Sequence, residues 1–152
     1  MQLTLHTDYA LRTLIYLQAG SERSVTVGEI ASAYDVSRHH LLKIVQRLSQ
    51  QGYVQTTRGR GGGLRLAQPP ESISLGQVVR QMEPHLDMAE CFDQVRNTCP
   101  LSAACDLKRV LYEARSAFLA VLDGYTIADL TRQPAALRQL LQIAEPPPVD
   151  QP

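Results

Sequence analysis

All three cysteines of this chain, Cys91, Cys99 and Cys105, fall between Glu90 and Lys108. Thiolates are soft ligands, and no other stretch concentrates them in this way. Seven residues separate the first pair and five the second. Asn97, Pro100 and Ser102 argue for loop through most of the segment, so the sulfurs can converge on one centre. The spacing lacks the close C-x-x-C pairs of most structural zinc sites. It suits a larger object, an iron–sulfur cluster with thiolates on different irons. A four-iron cluster is favoured, with a two-iron cluster as the alternative. Three readings compete: unrelated thiols packed as small apolar groups, thiols that sense by oxidation without metal, and a metal-stabilised adaptor with no DNA role. A cysteine nucleophile needs a base. His85 is the nearby candidate, but no triad or oxyanion pattern accompanies it, so no enzyme is expected. Three cysteines leave a fourth cluster ligand open between water, a small thiol, a histidine and a carboxylate. Among the chain's own groups, His85, His6 and Asp8 stay open beside those exogenous ligands, whereas protonated Lys108 cannot coordinate.

Around this segment the chain of 152 residues has room for one domain, or one small domain with a helical extension. No export signal or membrane span is visible. With an odd cysteine count, that predicts a reducing cytoplasm and no disulfide framework. Net charge is zero, yet residues 1–70 hold eight Lys/Arg against four Asp/Glu, and residues 71–152 seven against eleven. A basic N-terminal half suits a polyanion-binding module.

The N-terminal half supplies such a module. A first helix is expected over Thr7–Ala19, with Leu11, Leu14 and Ile15 inward and Gly20 as its stop. Asp8 lies near that stripe, where an acid either faces the helix N-terminus or needs a partner. Thr26 and Glu29 form a capping box opening a short helix, Val27–Tyr34. Asp35-Val36 turns the chain, and Ser37 caps a second helix that ends at Gly52. Leu41, Ile44, Val45 and Leu48 are its apolar stripe. Two helices, a short turn and a basic start to the second make a helix-turn-helix. Strands at 53–57 and 64–66 flank the glycine-rich tip Arg58-Gly-Arg-Gly-Gly-Gly63, a wing. No Lys-Ser/Thr follows the glycines, so this is no phosphate-binding nucleotide loop. Ser37, Arg38, His39, His40 and Lys43, with Arg58 and Arg60 on the wing, are the candidate contacts to double-stranded operator DNA.

Pro69-Pro70 closes this region. Ser74 and Gln77 read as a capping box for a helix over Leu75–Met82, and the cysteine segment follows. From Leu107 a long helix carries Leu107, Leu111, Ala114, Phe118, Val121 and Tyr125 in alternating steps of four and three, a seam for a homodimer. Gly124 ends it. A helical turn over Thr126–Leu130 and a short helix over Pro134–Ile143 come next. The proline-rich residues 145–152 read as a disordered tail. The fold expected is mainly α with a small β wing. It has a winged helix-turn-helix over 1–70, a linker helix and cysteine loop over 71–106, and a dimerisation helix with C-terminal helices over 107–144.

Assembled, the chain resembles a family of bacterial winged-helix iron–sulfur regulators over roughly residues 1–125. The resemblance rests on Leu5-His-Thr-Asp-Tyr-Ala-Leu-Arg12, Ser37-Arg-His-His-Leu-Leu-Lys-Ile-Val45, Arg58-Gly-Arg-Gly-Gly-Gly63 and the cysteines before a long helix. Glu90-Cys-Phe-Asp93 and Asn97-Thr-Cys-Pro100 resemble the nitric-oxide-sensing branch most. The resemblance implies a homodimer on an inverted-repeat operator, one cluster per subunit, and repression relieved by nitric oxide. IscR-like members carry a ligand histidine where this chain has Lys108. In the nitric-oxide-sensing branch an aspartate of the first helix ligates the cluster, and Asp8 matches it.

Overall fold

The structure is a computed structural model that describes residues 2–59 and 61–144. Arg60 of the wing tip and the tail at 145–152 therefore lie outside the described residues. Seven α-helices and one two-stranded sheet make up the described chain: α1 (Leu5–Ala19), α2 (Val27–Ala33), α3 (Arg38–Gln50), β1 (Val54–Thr57), β2 (Gly63–Leu66), α4 (Leu75–Met82), α5 (Asp106–Asp123), α6 (Ile127–Leu130) and α7 (Pro134–Leu140). The expectation of a mainly helical fold with a small β wing holds.

Helix α1 is the hub, packing against α3, α4, β2, α6 and α7. Thr4 opens it by accepting from the Thr7 amide. Its buried face runs through Thr7, Ala10, Thr13, Leu14 and Leu17, whereas Leu11 and Ile15 are only half-buried. The expected Leu11–Ile15 stripe was thus rotated from the true one. A helix contacted by so many elements buries small residues and threonines, which bring backbones close. The buried Thr13 hydroxyl stays satisfied by donating to the Tyr9 carbonyl at 2.7 Å.

The α2–α3 pair forms as the sequence predicts. Thr26 and Glu29 close their reciprocal capping box, an arrangement worth about 1 kcal/mol per cap. Asp35 takes a left-handed φ of 51° in the turn. Ser37 occupies the N-cap of α3, but its hydroxyl makes no capping bond. Leu41, Ile44, Val45 and Leu48 are buried. In the wing, Val54 pairs with Leu66 and Thr57 with Gly63. Leu64 also bridges Val25 and roots the hairpin beside α2.

Helix α5 behaves differently. None of its 18 residues is buried, and the expected seam positions Leu107 and Val121 are 63% and 62% exposed. Its C-terminal end is fastened to the body. Arg80 of α4 grips Asp123 with two bonds of 2.5 and 2.7 Å, the Leu75 amide donates to the Tyr125 carbonyl, and the Ile127 amide to that of Ile73. Gly76 makes room: a Cβ there would collide with the Asp123 carboxylate.

Helix α6 opens with a capping box of Thr126 and Asp129 that the sequence reading missed. The bond from Arg132, with those from Thr126, holds the Asp129 carboxyl down at about 2. A depressed carboxyl stabilises the fold above its unfolded value near 3.8, and the contribution is lost as pH falls through about 2. Urea unfolding should therefore show Asp129→Asn less stable than the parent above about pH 4, with the gap closing as pH is lowered to about 2. A gap of constant size across that window would show that the charge of Asp129 contributes nothing.

Candidate functional site

Two regions carry the sequence-predicted residues. The first is the cysteine loop. All three thiols are free and half-buried. They line a single cleft of about 180 Å³, together with Leu101, Leu107, Lys108 and Leu111. Among the described residues, no three His, Cys, Asp or Glu side chains are drawn together tightly enough to hold a metal ion. The cleft is apolar, as a site for a group that must be kept from water requires. Cys105 is the N-cap of α5, so the third thiol sits at the foot of the long helix.

Side chains brace this loop from within. Glu90 accepts from the Thr98 amide at 2.5 Å and from the Thr98 hydroxyl at 2.7 Å. Because Glu90 precedes Cys91 and Thr98 precedes Cys99, this clamp ties the first two thiols together. The Thr98 bonds hold the Glu90 carboxyl below its ordinary value. Asn97 accepts from the Cys99 amide and donates to Ser102. Asp93 accepts from the amides of Val95 and Arg96 and pairs with the Arg96 guanidinium, which lowers its carboxyl. Phe92 is the loop's anchor. It stacks on Tyr112 of α5 with ring centroids 4.3 Å apart and planes at 8°, while the Arg115 guanidinium lies 4.7 Å from both centroids. An aromatic pair adds about 0.5–1.5 kcal/mol beyond the area it buries.

Asp8 and the histidines stand apart from the cleft. Asp8 pairs with Arg12 one turn along α1, at 3.0 and 2.9 Å, with its side chain 36% exposed. The partner demanded by its position is therefore present in its own helix, and burial alone does not call for a metal there. His85 lines a separate depression with Asp87, Met88 and Asp93, so the base that a cysteine nucleophile would require is not among the residues lining the thiol cleft. His6 is packed at the start of α1. Burial first, then the charges of His40 and Arg47, push its imidazole below the ordinary value, against the pull of Glu83.

The second region is the α3 face. Ser37, Arg38, His39 and Lys43 are exposed, whereas His40 is half-buried, its ring edge-on to Tyr9 of α1 at 5.8 Å. His40 thus faces α1 rather than the open side. Leu42, 46% exposed, and Gln46 share the open face with His39 and Lys43. Sequence reading missed both, although the spacing 39, 42, 43, 46 marks one helical face. Arg47 turns away and donates to the Gln81 carbonyl. In the wing, Arg58 is exposed beside Gly59 and Gly61, whose φ values of 101° and 81° favour glycine. Arg65 is committed to Ser24 and the Ser21 carbonyl.

Comparison with known proteins places these features together. The Rrf2 family, described as an iron-dependent transcriptional regulator, matches residues 3–133. A relative from Bacillus subtilis, "HTH-type transcriptional regulator NsrR", is 47% identical over 95% of this chain and 100% of its own length. One of the same name from Geobacillus kaustophilus is 50% identical over 93% and 97%. Among solved structures, CymR, the global cysteine regulator of B. subtilis, is 27% identical and superposes with a TM-score of 0.71, covering 87% of this chain and 97% of that one. IscR of T. potens superposes with a TM-score of 0.71 at 23% identity, over 96% and 94%, and shares the fold.

The Glu90–Thr98 clamp makes a prediction independent of any ligand. The Thr98 amide, exposed but donating to a carboxylate, should exchange slowly with deuterated solvent. In Glu90→Ala that protection should disappear while amides of α1 and α3 keep theirs. Unchanged exchange at Thr98 would show that the clamp does not hold the loop in solution.

Proposed function

The chain belongs to the Rrf2 family of transcriptional regulators, and we propose that it is a nitric-oxide-responsive repressor whose operator affinity is set by an iron–sulfur cluster, four-iron rather than two-iron. The observation that carries this reading is the convergence of all three thiols on one apolar cleft at the foot of a long helix, in a chain whose other half presents a helix-turn-helix and wing. The names of the 44–50% identical relatives, HTH-type regulators called NsrR, support the same reading.

The donor set fits such a group. Cys91, Cys99 and Cys105 would hold it, with Leu101, Leu107 and Leu111 lining the apolar wall of the cleft. Asp8 is the proposed fourth ligand, contributed by the second subunit of a homodimer. It must leave Arg12 to serve, and an exposed i,i+4 pair opposes that by only about 0.3–0.5 kcal/mol. When bound, the cluster supplies iron that reacts with nitric oxide. The exposed seam of α5 is the proposed subunit interface, since sites read by helix-turn-helix proteins reflect two-fold symmetry. Ser37, Arg38, His39 and Lys43 are the proposed groove and phosphate contacts, extended by Gln46 and Leu42, with Arg58 and Arg60 reaching along the wing. His40 is assigned to holding α3 on Tyr9. A hundredfold loss of operator binding needs about 2.7 kcal/mol of differential free energy, a size that rearrangement of one loop can supply.

Anaerobic purification with optical spectroscopy, followed by DNA binding before and after nitric oxide, tests the reading. The probe is a duplex selected by the cluster-loaded protein from a random-sequence pool. The protein should be coloured, contain iron and sulfide, and release the duplex on nitric oxide. Cys91→Ala, Cys99→Ala and Cys105→Ala should each lose the cluster, whereas Asp8→Ala should keep a three-cysteine cluster with an altered spectrum. A colourless wild-type protein that still responds to oxidants would favour metal-free thiol sensing instead.

The wing is tested by salt dependence. Each phosphate contact contributes about 0.9 to the slope of log affinity against log salt. Arg58→Ala combined with Arg60→Ala should weaken binding and flatten the slope by up to about 1.8. An unaltered slope and affinity would remove the wing from the interface.

A further inference from the structure

Between Met82 and Ile127 a single side chain, Phe92 at 8% exposure, is buried. It does not join the main core. Its cover comes from α5, through Tyr112 and Arg115. The cysteine loop is therefore attached to the long helix rather than to the DNA-binding body.

The placement of that attachment is informative. Cys91 and Phe92 share one 3₁₀ turn, Glu90–Phe92, closed by the Phe92 amide on the Ala89 carbonyl at 3.0 Å and the Asp93 amide on Glu90 at 3.1 Å. A displacement of the Cys91 backbone is shared with Phe92, its neighbour in the same turn. On α5, Lys108 and Leu111 line the thiol cleft, while Tyr112 and Arg115 form the stack. These four fall at i, i+3, i+4 and i+7, one continuous helical face. The far end of the helix, 11 residues beyond Tyr112 and about 16 Å away along the axis, is fixed to α4 by Arg80 and Asp123. A helix gripped at both ends transmits a twist at one to the other.

We propose that Phe92, Tyr112 and Arg115 are positioning residues that couple the state of the thiol cleft to α5, and through α5 to α4 and the DNA-binding body. The proposal rests on the sensing function above and adds the element through which the signal leaves the loop. Tyr112 and Arg115 are not themselves proposed as cluster ligands. They act by holding Phe92, so that the turn bearing Cys91 and the helix move as one piece.

Tyr112→Leu removes the ring, and Tyr112→Phe keeps it. In cluster-free protein, hydrogen exchange across residues 89–99 should rise at least tenfold in Tyr112→Leu, with α1, α3 and α4 unchanged and Tyr112→Phe matching the parent. In cluster-loaded protein, Tyr112→Leu should retain the cluster absorption. Its ratio of duplex affinities, loaded over cluster-free, should fall at least tenfold towards one, while Tyr112→Phe and the parent keep theirs. A merely structural role would lower both affinities together and leave the ratio alone, and that outcome overturns the proposal. Parental exchange across the loop in Tyr112→Leu overturns it as well. A parent whose own ratio is one overturns the sensing function and the coupling claim with it. The exchange data then distinguish that failure from a missing grip.

Discussion

A helix of 18 residues with no buried side chain, and only the half-buried Leu122 packed against the core, draws little hold from that core, and the segment that carries the cysteines is built around that constraint. The N-terminal half has an ordinary interior, with Leu14, Ile30, Leu41, Ile44 and Leu48 excluded from solvent. Between Met82 and Ile127, where the chain rejoins the core, it relies on discrete fasteners: a guanidinium–carboxylate pair at one end of α5, an aromatic stack at the other, and side-chain bonds within the cysteine loop. Exposed ion pairs contribute at most about 1 kcal/mol. Such a segment is cheap to rearrange, which suits the proposed response. The same exposure leaves Leu107, Val110 and Val121 in want of a partner surface, which the proposed second subunit would provide.

Much of this was legible in the sequence because the signals are local. Thr26 and Glu29 announce α2, Gly124 the end of α5, and the glycines of the wing tip a turn with left-handed backbone. What was not legible depends on neighbours. The buried face of α1 is chosen by the elements that surround it, so Thr7, Ala10 and Thr13 sit inside while Leu11 and Ile15 lie at the margin. His40 looked equivalent to His39, but it stands one turn before buried Ile44 and meets Tyr9 edge-on, while His39 lies open. The Thr126–Asp129 box carries the wrong acid for the usual Ser/Thr-x-x-Glu pattern and was passed over. Phe92 gave no warning, because an isolated aromatic in a polar loop has no period to reveal its partner.

The candidate site shows the same division. The clustering of Cys91, Cys99 and Cys105 is a sequence fact, and their sharing of one cleft follows from loop bonds between residues close in the chain, such as Glu90 with Thr98. Asp8 is the contrasting case. Its position near a helix face suggested a buried carboxylate in need of a cation, but the cation is Arg12, four residues on, and a period of 3.6 permits that pairing in any exposed helix.

That pairing bears on how the two halves communicate. The first turn of α1 carries Asp8, but it also carries the contacts that set α3: Tyr9 against His40, with His6 close to the charges of His40 and Arg47. Thr4, just before it, takes Glu83 at the end of α4 at 2.7 Å through its amide. One turn of helix thus abuts the recognition helix, the end of α4 and the proposed fourth ligand. If Asp8 leaves Arg12 for a metal, the guanidinium is freed next to Tyr9 and Tyr34, whose rings lie 5.8 and 5.7 Å from it. The Tyr34 hydroxyl, pushed up to about 12 chiefly by burial, stays protonated and keeps donating to the Arg12 carbonyl at 3.1 Å. Arg12 already lies by both rings while it holds Asp8, so loss of the exposed ion pair, worth about 0.3–0.5 kcal/mol, leaves it aromatic contacts worth about 0.5–1 kcal/mol. So small a cost is one that a ligand bond at Asp8 can offset, in the helix that packs against the one carrying His39 and Lys43.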